Sequence, residues 1–166
     1  MGDLGPPFQW PYPAKDRLMI RRLAVLTGLA MCAAILPATA AQAANPSIMI
    51  TRVYVNSPGP DTRTNASLNA EYIILKNTTT KAISLKGWTV RDRSNHVYTF
   101  GTFTLAAGHW VTLHTGRGTN TSTNRYWGSG NYIWNNDGDT AYVRRPASTI
   151  NVDTCKWGVV ASYVNC

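Results

Sequence analysis

From Ser47 onward, short apolar stretches alternate with clusters of Gly, Pro, Asn and Asp, and no apolar stripe at i, i+3, i+4 runs long enough for a packed helix. The pattern predicts an all-β domain. Ile48, Ile50 and Val53 to Val55 form a first strand, stopped at Ser57-Pro58-Gly59-Pro60-Asp61, where two prolines withhold ladder N–H groups. A polar loop follows to Asn69. Glu71-Tyr72-Ile73-Ile74-Leu75-Lys76 is apolar on both faces at its centre, as in a strand sandwiched inside the fold. Gly87 to Arg91 and His96 to Phe100 alternate on either side of the turn Asp92-Arg93-Ser94-Asn95. This is a hairpin whose Trp88, Val90, Tyr98 and Phe100 point into one core.

Leu105-Ala106-Ala107-Gly108 turns the chain into Trp110-Val111-Thr112-Leu113-His114. Thr115 to Gly130 reads as a long loop of Gly, Thr, Asn and Ser containing Tyr126 and Trp127. The closing strands are Tyr132 to Trp134 and Thr140 to Arg144, joined through Asn135-Asn136-Asp137-Gly138-Asp139, whose Asp-Gly pair suits a turn with positive φ. Val152 to Trp157 is the last strand. About seven short strands separated by turn signals fit an immunoglobulin-like β-sandwich. Five tryptophans beyond residue 43 supply aromatic area for its core.

The N-terminal part has a different pattern. Met19-Ile20-Arg21-Arg22 is basic, Leu23 to Leu36 is an apolar run short for a bilayer span, and Ala41-Gln42-Ala43 is a small-x-small cleavage site. Residues 1–43 are therefore expected to be an export signal cut between Ala43 and Ala44, with Met19 as the true start. Residues 44–166 form a single secreted domain without a transmembrane segment. A membrane anchor is the alternative, weakened by Thr27, Gly28 and Pro37 in and after the run.

Cleavage removes Cys32 and leaves Cys155 and Cys166, which an oxidising compartment would pair; two free thiols are the alternative. Charge survives the cut. The chain is formally +8, and residues 1–43 hold four of its sixteen Lys/Arg and two of its eight Asp/Glu, leaving twelve against six, or +6. Such a balance favours anionic partners without naming one.

Four segments in order resemble the lamin tail domain: Asn69-Ala70-Glu71-Tyr72-Ile73-Ile74-Leu75-Lys76-Asn77, Leu85-Lys86-Gly87-Trp88-Thr89-Val90-Arg91-Asp92, Tyr98-Thr99-Phe100 with Leu105-Ala106-Ala107-Gly108, and Trp134-Asn135-Asn136-Asp137-Gly138-Asp139-Thr140-Ala141. That family is an immunoglobulin-like module found at the end of nuclear lamins and in exported bacterial proteins. The resemblance implies a tethering or scaffolding role, often beside hydrolases on longer chains. The same residues have structural duties of their own: Glu71 to accept backbone N–H groups or meet a cation, Gly87 to let the backbone approach beside Trp88, and Asn135, Asn136 and Asp139 to bond turn amides.

Residue types capable of catalysis are sparse. His109 and His114 are five apart, on opposite faces by strand period, which disfavours a shared zinc site or dyad and leaves surface or turn positions as the expectation for His96, His109 and His114. Asp137 and Asp139 with Asn135 and Asn136 offer too few oxygens for Ca²⁺ in one short loop, so a plain turn is favoured. Gly116-Arg117-Gly118 and Gly128-Ser129-Gly130 precede no helix that would make them phosphate cradles, and no Gly-x-Ser-x-Gly elbow occurs. No catalytic residue, metal or cofactor is expected. The set most suggestive of function is Arg91, Arg93, Arg117, Arg125, Arg144 and Arg145 with Tyr126 and Trp127, which could grip anions and stack on rings. The expectation is a secreted, non-catalytic binding or scaffolding module whose partner is another protein, a cell-wall polymer or nucleic acid. A binder of nucleic acid or anionic polymer through the arginine set is the second reading, and a small hydrolase the third.

Overall fold

The computed structural model describes Gly5 and residues 45–166, so the expected export signal, Cys32 and the Ala43/Ala44 junction lie outside the described residues. Eleven strand segments and one short helix are present among them: β1 (Ile48–Tyr54), α1 (Asn65–Asn69), β2 (Tyr72–Asn77), β3 (Ile83–Ser84), β4 (Thr89–Arg91), β5 (Val97–Thr99), β6 (Thr104–Leu105), β7 (Trp110–His114), β8 (Asn124–Tyr126), β9 (Asp139–Arg144), β10 (Asn151–Trp157) and β11 (Tyr163–Asn165). They form a five-stranded sheet β11-β1-β2-β7-β8, a four-stranded sheet β10-β9-β4-β5 and the pair β3-β6. The fold is the immunoglobulin-like β-sandwich expected from the strand pattern. The surplus over seven strands is made of pieces two or three residues long, which carry no alternation to read.

Alternation along the long strands builds the core. Ile48, Ile50 and Val53 of β1, Ile73 and Leu75 of β2, and Val111 and Leu113 of β7 face Val90, Ala141, Val143, Cys155 and Trp157 of the other sheet, all buried. Burying one such aliphatic side chain is worth about 1.5–3 kcal/mol. Trp88, Phe100, Phe103 and Leu105 close the core, with Tyr98 packed against it, as the hairpin reading required. The positive φ of Gly87 (77°) turns the chain into Trp88, with Pro146 beside it.

Several elements differ from their sequence reading. β2 lies inside its sheet, between β1 and β7, but only one of its faces is covered: Tyr72, Ile74 and Lys76 are half-buried on an open face. The polar loop before Asn69 contains α1, whose Ser67 N–H is accepted by the Thr64 hydroxyl at 3.3 Å. β8 breaks up the long loop as a parallel partner of β7. Tyr132 to Trp134 is not a strand, because the N–H groups of Ile133 and Trp134 point at the Glu71 carboxylate instead of at a ladder. β9 pairs with β10 and β4, and β11 follows β10 as the true last strand. Cys155 on β10 and Cys166 after β11 are joined as a disulfide with Cα atoms 5.7 Å apart, linking an edge of each main sheet.

Candidate functional site

The buried acids are committed to the backbone. Glu71 is fully buried; its Oε1 accepts from Thr115 Oγ1 (2.7 Å) and Ile133 N–H (2.8 Å), and its Oε2 from Trp134 N–H (3.3 Å). Burial pushes this carboxyl up from 4.5 to about 7, against the lowering effect of the three donors, and nearby Asp61 adds a smaller push. Asp139 accepts from the N–H groups of Arg93, Thr140 and Asn135 and from the Asn135 side-chain amide, fastening the expected turn. Those oxygens hold amides where a cation would need them. Asp92 bonds both the N–H and the ring of His96, and Asp153 accepts the Ile50 N–H at 2.6 Å. Asp61 and Asp137 are left exposed.

His114 departs from the surface-or-turn expectation. It is half-buried on β7, with Nδ1 2.8 Å from Asn69 O and Nε2 3.0 Å from Asn124 Oδ1. Both ring nitrogens are thus occupied by local structure. Among the described residues, no group of three or more His, Cys, Asp or Glu is placed to hold a metal ion, and no helix is long and apolar enough to cross a membrane.

The arginine and aromatic set is divided rather than gathered. Arg91 on β4 and Arg144 on β9 share the outer face of the four-stranded sheet, where Arg91 pairs across from Tyr142 and Arg144 across from Thr89. Lys156 on β10, opposite Thr140, completes a basic triangle that the sequence reading missed. Arg93 and Arg145 sit beyond the strand ends, the first donating to Gly138 O at 3.0 Å and the second 5.5 Å from the Trp88 ring. Arg117 and Arg125 are elsewhere: Asn65 and Asn69 fasten the Arg117 backbone, and the Arg125 guanidinium covers Phe103 at 3.9 Å. Tyr126 and Trp127 are not free platforms. Tyr126 stacks on His114 at 5.1 Å and leans on Gly118, while Trp127 meets Tyr98 and Trp134 edges at the core rim.

Positive charge is left without acidic partners among the described residues. Among the described residues, the one contact of ion-pair geometry is His96 with Asp92, 2.6 Å apart, so no Lys or Arg there meets a carboxylate within 4.0 Å. The outer face of the five-stranded sheet carries a further feature. Tyr163, Tyr54, Tyr72, His114 and Tyr126 form one row across all five strands, with neighbouring ring centroids 5.1–5.8 Å apart. Alternation in Arg52-Val53-Tyr54 and Tyr72-Ile73-Ile74-Leu75-Lys76 was the available signal for this row, but it shows only once the strands are paired in register.

No curated protein matches the chain. The family model described as Lamin Tail Domain matches residues 41–159, so the chain, with Glu71 and Asp139 committed at the starts of its strands, belongs to the lamin tail domain family.

Proposed function

We propose that the chain is an exported, non-catalytic binding or scaffolding module whose partner is anionic. The observation that carries this reading is the charge arrangement: twelve Lys/Arg follow residue 43, none meets a carboxylate among the described residues, and four of the six acids there are spent on backbone N–H groups. Like charges facing one another across a sheet cost stability. Arg91 and Arg144, diagonal neighbours on β4 and β9, have no acid on their face to offset that cost, which suits a surface that meets negative charge from outside. Membership of the lamin tail domain family supports a module that tethers, and the Cys155–Cys166 bridge supports an oxidising compartment.

Two measurements test the reading. Expressed in an exporting host, the chain is expected in the medium with Ala44 at its N-terminus; retention with residues 1–43 attached overturns export. The purified chain should bind an immobilised polyanion such as polyphosphate with log affinity falling as log salt rises, at a slope of about −0.7 to −0.9 per charge contacted. Neutralising Arg91, Arg144 and Lys156 together should flatten that slope. Salt-independent binding, or hydrolytic turnover by the purified chain, overturns an anion-binding, non-catalytic role.

A further inference from the structure

We propose that the open face of the five-stranded sheet is a second binding surface, one that receives an extended acidic polysaccharide whose sugar carboxylates are read by Arg52 and Lys76. The inference rests on the reading of the chain as a binding module, but uses none of the arginines on the other sheet.

Strand register lays this face out in three rows. The ring row Tyr163-Tyr54-Tyr72-His114-Tyr126 is one wall. Beside it runs a lower row, Asn165, Arg52, Ile74, Thr112 and Asn124, and beyond that Lys76 pairs with Trp110. The lower row crosses five strands, about 19 Å at the usual strand spacing. A groove of about 270 Å³ opens on it where Arg52, Ile74, Lys76, Trp110 and Asn165 converge.

Charge and chemistry select the occupant. None of the five strands contains an Asp or Glu. Arg52 is already held in place by neutral groups: its Nε donates to Asn165 Oδ1 at 2.9 Å and its guanidinium lies 4.5 Å from the Tyr163 ring centroid. One of its five N–H donors is used, which leaves the terminal pair to fork onto a carboxylate. Trp110 is 60 % exposed at the end of the groove, a flat apolar ring open to the face of a sugar.

The remaining lining distinguishes a glycan from other polyanions. Amide and hydroxyl side chains such as Asn165, Thr112 and the tyrosines both donate and accept, matching sugar hydroxyls, whereas phosphodiester oxygens only accept. The Tyr54 ring lies within 23° of parallel to both Tyr72 and Tyr163, so these rings cover one another and present edges to solvent. A run of bases would find Trp110 alone to stack on. An acidic peptide could not extend the sheet, since the surface is a face and offers no unpaired ladder groups.

Titration calorimetry of the purified full chain with a galacturonic acid oligomer tests this. Binding is expected, at least about tenfold tighter than to a neutral glucose oligomer, and lost by about tenfold or more in Trp110→Ala and in Arg52→Ala. Lys81→Ala removes a charge elsewhere and should change nothing. Urea midpoints of the variants check that the exposed substitutions leave folding intact. Absence of binding, equal binding of the neutral oligomer, or full binding by Trp110→Ala or Arg52→Ala overturns the proposal. Tighter binding of single-stranded DNA at the same salt, lost in Trp110→Ala and in Arg52→Ala, assigns the face to nucleic acid and also overturns it. Loss confined to Arg91→Ala/Arg144→Ala moves the glycan to the other sheet, refuting this surface while leaving the anion-binding reading intact.

Discussion

Glu71 sets burial of a charge against three hydrogen bonds to it, and burial wins. Its carboxyl titrates at about 7 in the folded chain against 4.5 ordinarily, a gap worth about 3 kcal/mol. Because the folded value is the higher one, the folded state binds the proton more tightly. The associated stability is fully present below pH 4.5 and is lost as pH rises towards 7 and beyond. Glu71→Gln provides the control. Its carbonyl can take the place of Oε1 and still accept from Thr115 and Ile133, but its amide meets the Trp134 N–H, donor against donor. The variant should be less stable than the wild type at pH 4 by about 1–3 kcal/mol, the cost of one unsatisfied buried donor. Since Gln does not titrate, that deficit should shrink by about 3 kcal/mol by pH 8, closing or reversing. Urea denaturation of both proteins across this range measures the gap directly. A deficit that widens with pH refutes the reasoning, since it would mean that the Ile133, Trp134 and Thr115 donors hold the carboxylate ionised and outweigh desolvation.

Three other perturbations have defined outcomes. Asp139→Asn replaces one acceptor of amide protons with an NH₂ inside the turn and should cost about 2–4 kcal/mol in urea denaturation, with amide exchange rising first on the side that meets the NH₂, either at Asn135 or at Arg93 and Thr140. Cys155→Ser/Cys166→Ser should lower stability by about 3 kcal/mol on the chain-entropy account of a short loop, and a reductant should produce the same loss in the wild type and none in the variant. Gly87→Ala forces a Cβ into positive φ and 3.2 Å from Pro146, so the melting temperature should fall by an amount corresponding to about 1–2 kcal/mol.

The core was legible because burial alternates where strands are long: Ile48, Ile50, Ile73, Leu75, Val90 and Val143 are apolar at period two and buried. The disulfide was legible by arithmetic on three cysteines. What escaped was set by long-range partners. Ile133 and Trp134 look like strand residues and are buried, yet their N–H groups answer to a carboxylate 62 and 63 residues away. Tyr126 and Trp127 looked like an exposed pair beside arginines, and packing against His114 and Trp134 took both away. Lys156 and Arg91 lie on one surface only because β9 runs between their strands, and the tyrosine row depends on a register that skips Thr51 at a bulge in β1. Pairing of strands distant in sequence is what a local pattern does not contain.

The strand β10 has a further consequence for solubility. At seven residues it is the longest strand lying at the margin of either main sheet, and so the natural template for another chain to add to. Its register shifts between Asn151 and Asp153, Asp153 turns inward to bond β1, Lys156 projects from the other face, and Cys155 is bridged to the chain terminus. A kink, an inward charge, an outward charge and a covalent strap together deny a flat run of ladder groups to an incoming strand. The edge with the longest run of ladder groups is thereby also the one least suited to receive another chain.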